Sequence, residues 1–444
     1  MDRLDIVHSV PDLPPAVLAD LSTPGNSVVL YAKGGEMRRI VYYLPDSASA
    51  IRKTLTPVVR NLSGDTEVML PAEISTRALR VVMQTLYLAR APETTLKTTG
   101  TATRHQLIPF LASQEQLQVA EHVKCLTGGS LIARFLANER FNPEQFSREV
   151  HSIFHGAEGM TVREIEATPE MGLLTAVGQG ASVPPRLVEV VYNGTRDTAP
   201  SPAAPVALVG KGITFDTGGI HLKPTGYIED MFLDKAGAAA VVGALRALQQ
   251  LRAPVHVVGV LALAENAIGP DAVKPSALLR SLQGRTVEVG NTDAEGRLAM
   301  ADAMTWVRQE HAPSVIIDIA TLTGSCISAL GEQTAGLFFN DKAKKWARHL
   351  RRAGHRCGEE LWHLPITEEH RATVVGKQAD LTNSGSSKGG GASEAAAFLE
   401  HFAEDTPWVH LDVAGPAAPS AAQHYLPAGS TGFGAQLLAE ALYP

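Results

Sequence analysis

The chain has few cysteines and no apolar run long enough to cross a membrane. Its 444 residues include three cysteines, Cys125, Cys326 and Cys357, without CxxC spacing. Such a sparse set argues against a disulfide framework and suits a reducing cytoplasm. The longest uncharged apolar run, around residues 255–264, is far shorter than a membrane span. No apolar signal segment follows Met1. We therefore expect a soluble cytoplasmic protein with no membrane partner.

Signatures of nucleic-acid, nucleotide and His-ligated zinc sites are also missing. The formal net charge of −7 gives no electrostatic reason to expect nucleic acid as the main partner. The glycines around Lys211 do not form a Walker loop, and Phe215 stands where the dinucleotide fingerprint needs its third glycine. The fifteen histidines form no HExxH pattern. These absences disfavour a nucleotide-binding protein and a His-ligated zinc protease.

The length of the chain indicates two domains. At 444 residues it exceeds the usual size of a single hydrophobic core. Phe141-Asn142-Pro143 is a turn signal, and a helical pattern from about residue 115 to residue 140 precedes it. We place residues 1–145 in a smaller N-terminal α/β domain that ends in this linking helix. Residues 146–444 then form a C-terminal catalytic domain.

Short apolar runs alternate with helical patterns in the second part of the chain. This alternation predicts an α/β fold with a mainly parallel central sheet flanked by helices. In such folds ligands bind beyond the carboxyl ends of the strands. On this pattern Lys211 follows one strand and Thr321 follows another. Predicted strands cover residues 186–192, 205–209, 256–263, 314–319 and 409–413, and predicted helices cover residues 235–251, 297–311 and 393–402.

Acidic side chains recur at the places where this fold would bind a ligand. Asp293 and Glu295 lie in the segment NTDAEGR, residues 291–297, between a strand-like run and a helix. Asp216 and Asp234 lie upstream. A lone Asp in a Gly-flanked loop is usually a turn residue, but four such carboxylates need a cation between them if they converge. Oxygen ligands suit Mn²⁺, Mg²⁺ or Zn²⁺, so we predict a two-metal hydrolase site.

Basic residues accompany the carboxylates. Most lysines are solvated surface groups, but Lys211 and Lys223 lie in Gly- and Pro-rich segments, which raises their functional weight. A lysine can ligate a metal only after losing its proton, whereas a charged lysine can stabilise a developing oxyanion. Arg297 stands at a helix start, a poor place for a cation, so we expect a compensating anion there. His221 is interpreted as a structural residue.

These motifs together resemble the leucine aminopeptidase (cytosol aminopeptidase) family of dinuclear metallopeptidases. The resemblance is close in VGKGITFDTGG (209–219), NTDAEGRLAMADA (291–303) and ATLTGSC (320–326). It covers roughly residues 145–444. One departure is His221-Leu222, where small or aliphatic residues are commoner.

The resemblance implies a role for each residue that matches a family motif. Asp216 and Glu295 would bridge the two ions, Lys223 would be the catalytic lysine, and Arg297 would be the catalytic arginine, holding a bicarbonate. The implied metal ligands are Lys211, Asp216, Asp234, Asp293 and Glu295, and the implied substrate pocket contains Met231, Thr321, Leu322 and Gly324.

The activity implied is a metal-dependent aminopeptidase. Two divalent ions, Mn²⁺ or Zn²⁺, would activate a bridging water that attacks peptides with a free N-terminus. Family members are typically homohexamers, and we carry that expectation over.

Two other functions stay open at this stage. A two-metal phosphatase could use the same carboxylates, with Lys223 and Arg297 binding phosphate. A DNA-binding role could use the basic cluster at residues 344–352, although a solvated helix face is the favoured interpretation of that cluster.

Overall fold

The computed structural model divides the chain into two compact units. It describes residues 2–7, 25, 27–31, 38–62, 65–89, 107–195, 204–385 and 389–444. The first unit comprises Met1–Thr127 and Ala421–Pro427, and the second comprises Gly128–Ser420 and Ala428–Pro444. The units divide within one long helix, upstream of residue 145. Compactness does not test where an independently folding domain begins, so the boundary at residue 145 stays a prediction.

The first unit is built on a mixed sheet. In its described residues five strands lie in the order β2-β3-β1-β4-β5, with β2 antiparallel to β3 and the other neighbours parallel. The Ser47 side chain accepts the Ala50 N–H and caps the first helix. The strands are β1 (Asp2–Val7), β2 (Ser27–Tyr31), β3 (Arg38–Tyr43), β4 (Thr66–Met69) and β5 (Leu107–Phe110), and the helices are α1 (Ala48–Arg60) and α2 (Thr76–Ala89).

The second unit contains a larger sheet whose centre is parallel. Its described strands lie in the order β14-β13-β16-β12-β8-β9-β7-β6, and β16, β12, β8 and β9 run parallel. A small sheet has the order β10-β11-β15. The strands are β6 (Met160–Glu166), β7 (Arg186–Asn193), β8 (Val206–Asp216), β9 (His256–Asn266), β10 (Leu278–Arg280), β11 (Thr286–Glu288), β12 (Val315–Ala320), β13 (Ala335–Phe339), β14 (Leu361–His363), β15 (Leu381–Thr382) and β16 (Trp408–Asp412).

Helices cover this sheet and bury its apolar strands. Helix α4 begins with a capping box in which Asn142 and Gln145 exchange side-chain and backbone hydrogen bonds, with Pro143 at its first position. None of the described helices is both long and apolar enough to span a membrane. The helices are α3 (Gln114–Asn138), α4 (Pro143–Phe154), α5 (Gly172–Gly178), α6 (Ala236–Gln250), α7 (Glu295–His311), α8 (Gly324–Leu330), α9 (Lys344–Cys357), α10 (Glu368–Thr373), α11 (Gly391–Ala403), α12 (Ala414–Ala417) and α13 (Ala435–Leu442).

The predicted α/β class with a mainly parallel sheet is confirmed. One local prediction is wrong. The strand expected to end at Val209 continues to Asp216, so Lys211 lies inside β8 and Asp216 is its last residue. Gly210 and Gly212 suggested a loop, but β8 pairs with β9 through this stretch. Tertiary pairing has overridden the low strand propensity of glycine.

Candidate metal centre

The carboxyl ends of the four central parallel strands supply much of the site. Asp216 ends β8, Asn266 ends β9, Thr321 follows β12, and Asp412 ends β16. Parallel strands bring these ends to one edge of the sheet, where such folds bind ligands. The long-range register therefore assembles side chains that are up to 196 positions apart in the sequence, the separation of Asp216 from Asp412.

Lys211 connects two carboxylates from different segments. Its Nζ lies 2.8 Å from Asp234 Oδ2 and 2.8 Å from Glu295 Oε1, and it donates to the Thr321 carbonyl at 3.1 Å. Burial alone would lower the pKa of Lys211, but Asp234, Glu295 and Asp216 outweigh burial and raise it. In this arrangement Lys211 is therefore an ammonium that neutralises acids.

Lys223 forms a second bridge. Its Nζ lies 3.0 Å from Asp216 Oδ2 and 2.5 Å from Asp293 Oδ1. Burial opposes its charge, but the carboxylates Asp216, Glu295 and Asp293 raise its pKa. Because Lys223 is partly exposed while Lys211 is buried, only Lys223 combines a fixed cation with access from solvent.

Three carboxylates converge on one point. Asp216, Asp293 and Glu295 each offer an oxygen, and these atoms lie within 4.8 Å of one another. Asp234 joins them through Lys211, which lies between Asp234 and Glu295. We call Lys211, Asp216, Lys223, Asp234, Asp293 and Glu295 the carboxylate–lysine cluster.

The cluster has more negative than positive charge. Its four carboxylates face two lysine ammonium groups. Burial raises the pKa of Asp234, Lys211 opposes this rise, and Glu295 and Asp216 add to it. Burial also raises the pKa of Asp293 and of Glu295. Glu295 Oε2 is buried and has no hydrogen-bond partner among the described residues. An oxygen-rich set with an unpaired buried oxygen and excess negative charge fits divalent cations.

Two glycine positions make room for the cluster. A Cβ on Gly296, within α7, would lie 2.4 Å from Lys211 Cε. Any residue larger than glycine at this position would therefore clash with the Lys211 side chain. Gly218 has φ +83°, and a Cβ there would lie 3.0 Å from Asp293 Oδ1 and 2.4 Å from the His221 carbonyl. At Gly296 and Gly218, a larger residue would clash with neighbouring atoms, a requirement that the sequence alone did not reveal.

Arg297 lies beside the cluster in a buried position. Its Nη1 donates to the Asn383 carbonyl at 2.8 Å, and its Nε has no hydrogen-bond partner among the described residues. Burial lowers the pKa of Arg297 to about 10, while Glu295, Glu394 and Asp412 oppose the shift. Arg297 is thus a guanidinium with a donor available to a small oxyanion.

The residues expected to form the substrate pocket lie around this centre. Met231 opens the short 3₁₀ helix Met231–Leu233, which leads directly to Asp234. Thr321 Oγ1 donates to Asp234 Oδ1 at 2.7 Å, so the turn after β12 contacts the cluster. Leu322 is half-buried, and Gly324 is exposed at the start of α8.

Sequence reasoning missed two asparagines that hold the acidic segments. Asn266 Nδ2 donates to Asp216 Oδ1 at 2.7 Å and to the Thr292 carbonyl at 3.1 Å. Asn383, which is fully buried, accepts the N–H groups of Gly290 and Asn291 and donates to the Asn291 carbonyl at 2.6 Å. The position of Asn266 at a strand end was a usable signal, whereas nothing local distinguishes Asn383.

The loop that carries Lys223 is fastened to the NTDAEGR segment. His221 N–H donates to Thr292 Oγ1 at 2.8 Å, and His221 Nδ1 accepts the Thr292 N–H at 3.0 Å. Thr292 Oγ1 also donates to the Gly218 carbonyl at 2.7 Å. His221 therefore makes structural contacts that hold the two loops together.

Comparisons with known proteins give similarities over most of the chain. Residues 132–439 match the model of the cytosol aminopeptidase family, catalytic domain. A probable cytosol aminopeptidase 1 from Shewanella oneidensis is 42% identical over 324 residues, which are 72% of this chain and 63% of that protein. A probable cytosol aminopeptidase from Cenarchaeum symbiosum is 41% identical, over 71% of this chain and 65% of that protein. The matches thus span less than two thirds of these curated relatives.

Solved structures match the whole chain. The bottromycin maturation enzyme BotP in complex with Mn has a TM-score of 0.88 and 30% identity, covering 100% of this chain and 98% of that one. A second structure of BotP gives a TM-score of 0.88 and 31% identity over the same shares. The similarity therefore includes the first 131 residues, which the family model does not match.

Proposed function

The chain belongs to the cytosol aminopeptidase family, and we propose that it is a metal-dependent aminopeptidase that removes N-terminal residues from peptides. The observation that carries the proposal is the convergence of Asp216, Asp293 and Glu295 within 4.8 Å. All three lie inside the part of the chain that matches the family's catalytic domain. Because the cluster has more negative than positive charge, it would also attract the positively charged N-terminus of a peptide.

The residues that would hold two cations in this proposal are Lys211, Asp216, Asp234, Asp293 and Glu295, and Asp216 and Glu295 would serve both. When bound, two Mn²⁺ or Zn²⁺ ions would supply a water of lowered pKa and polarise the scissile carbonyl. Lys211 could serve as a ligand only after losing its proton, which added positive charge in the cluster favours.

The chain's own residues would then orient the substrate and stabilise charge. Lys223 keeps its proton, because acids flank it, and its partial exposure lets it donate to the oxygen that becomes negative during attack. Arg297 offers its N–H donors to a small oxyanion such as bicarbonate, held close to the cluster. When bound there, such an anion would supply a carrier for the proton that the leaving amine needs, and Arg297 would hold it in place.

The substrate pocket would be formed by Met231 and the turn Thr321–Gly324. Thr321 contacts both Asp234 and Lys211, so the turn is attached to the cluster. We further propose that the protein is cytoplasmic, in line with the names of the relatives, and that it forms a homohexamer, which the resemblance to the family implies. Native mass spectrometry should then give a mass about six times that of the 47.2-kDa chain.

A narrower substrate range is a second candidate. Two structures of an enzyme named for bottromycin maturation match 100% of this chain, at 30% and 31% identity. This similarity makes a single dedicated peptide the alternative to general peptide breakdown. High turnover on many unrelated peptides would contradict it.

The direct test is hydrolysis of a panel of aminoacyl amides with Mn²⁺ present. The same amides with acetylated N-termini are assayed in parallel. We expect free amino acids from unblocked substrates, no release from blocked ones, and loss of activity after chelation. A phosphate ester in parallel separates the phosphatase alternative. No cleavage of any aminoacyl amide would overturn the proposal.

A further inference from the structure

Asp412 is a fully buried carboxylate that lies outside the carboxylate–lysine cluster. It ends β16, next to β12 in the sheet, and both strands finish at the same edge. Burying an ionisable group is costly unless its oxygens are hydrogen-bonded. The contacts of Asp412 therefore indicate what this residue stabilises.

Both carboxylate oxygens of Asp412 reach the turn after β12. Oδ2 accepts the Thr323 hydroxyl at 2.7 Å, and Oδ1 accepts the Leu322 N–H at 3.2 Å. Oδ1 also accepts the Ala414 N–H at 3.2 Å, which fixes the side chain relative to its own backbone. Asp412 thus holds two consecutive residues of the turn.

The residue that precedes Leu322 in this turn is held by the cluster. Thr321 Oγ1 donates to Asp234 Oδ1 at 2.7 Å, and the Thr321 carbonyl accepts from Lys211 Nζ at 3.1 Å. Leu322 lies between these two attachments, and its half-buried side chain packs on the core. Its position is therefore set jointly by the cluster and by Asp412.

We propose that Asp412 is a positioning residue that determines which N-terminal side chain the enzyme prefers, by fixing Leu322 and Thr323 in the wall of the substrate pocket. This inference rests on the proposed aminopeptidase function. Asp412 acts through the turn and is given no contact with substrate. A loosened turn weakens contacts to a large apolar side chain more than contacts to a small one.

The alternative to a positioning role is that Asp412 only stabilises the fold. Thr323 caps α8 by accepting the Cys326 N–H at 3.0 Å, so the Asp412–Thr323 bond also supports a helix start. A structural defect lowers the active fraction and reduces turnover of every substrate by one factor. A positioning role changes the ratio between substrates.

The test compares leucyl, alanyl and glycyl amides on the metal-loaded enzyme. Asp412→Asn keeps an acceptor for the Leu322 N–H but loses the charged acceptor for Thr323, and Thr323→Val removes the hydroxyl. For both variants we expect the kcat/KM ratio of leucyl to glycyl amide to fall about fivefold or more, chiefly through KM. Bound metal should stay at the wild-type level, and Thr323→Ser should restore the wild-type ratio.

A matched control is Thr305→Val, which removes another buried threonine hydroxyl, bonded to the Ala301 carbonyl within α7. This control should keep the wild-type ratio. An equal loss on all three amides in Asp412→Asn and Thr323→Val, or an unchanged ratio, would overturn the inference. Wild-type enzyme that cleaves no amide would overturn the proposed function, and this inference with it.

Discussion

The carboxylate–lysine cluster and helix α9 both concentrate charge, but water surrounds only one of them. In the cluster, Lys211 is 3% exposed and touches two carboxylates at 2.8 Å. In α9, Arg348, Arg351 and Arg352 are exposed. Exposed charges interact weakly because water and salt screen them, whereas buried charges must be compensated in fixed geometry. Burial, more than the number of charges, therefore marks the functional region.

Glu295→Ala should have the largest effect. Glu295 is buried, pairs with Lys211, and carries the unpaired oxygen of the cluster. We expect loss of bound metal and a fall in kcat/KM of roughly a thousandfold or more, measured by elemental analysis and leucyl-amide hydrolysis. Glu310→Ala, on the exposed end of the same helix, is the control. Full metal content in Glu295→Ala would show that the buried carboxylate is not needed to bind metal, and it would contradict the contrast drawn between the carboxylate–lysine cluster and helix α9.

Lys223→Ala should lose turnover and keep metal. Lys223 is a charged donor that touches Asp216 and Asp293 but is not itself among the proposed ligands. We expect kcat to fall about a hundredfold or more, with metal content unchanged. Lys344→Ala, in the exposed helix, should show wild-type kinetics. Loss of metal in Lys223→Ala would instead make Lys223 part of the binding set.

The convergence of Asp216, Asp293 and Glu295 was predictable from the sequence, because the acidic motifs combine unusual residue types with strand and helix boundaries. The α/β class followed from alternating apolar and helical patterns. The extension of β8 through Lys211 was not predictable, since glycine has low strand propensity and the pairing with β9 is a long-range contact. Asn383 was equally hidden, because its role depends on loops 92 positions apart in the chain.

Glu359 is a buried carboxylate outside the cluster, and it extends the comparison to the dependence of stability on pH. Burial raises the pKa of Glu359 to about 7, although the Gly434 and Leu437 N–H groups donate to it. The folded state then binds a proton more tightly than the unfolded state. Stability from this group is present below pH 4.5 and is lost as the pH rises towards 7.

Glu359→Gln should remove that loss. We expect the free energy of unfolding of wild type, relative to Glu359→Gln, to fall by about 1–3 kcal/mol between pH 4.5 and pH 7, measured by urea denaturation. Glu360→Gln, the exposed neighbour, should track wild type. Parallel pH profiles for wild type and Glu359→Gln would show that Glu359 is charged without cost.

Helix α9 should show the smallest effect. Replacing Arg348, Arg351 and Arg352 together by Gln removes three exposed charges, and we expect kcat/KM to stay within about twofold of wild type. Binding to DNA should be weak in both proteins. Salt-dependent retention of wild type on DNA, lost in the triple variant, would instead give this helix a function of its own.

Anomalous diffraction from crystals soaked in Mn²⁺ tests the central claim most directly. The account predicts two peaks per chain, both among the side chains of the carboxylate–lysine cluster and sharing the oxygens of Asp216 and Glu295. A cluster without anomalous density, with the ions bound at other places on the chain, would contradict it.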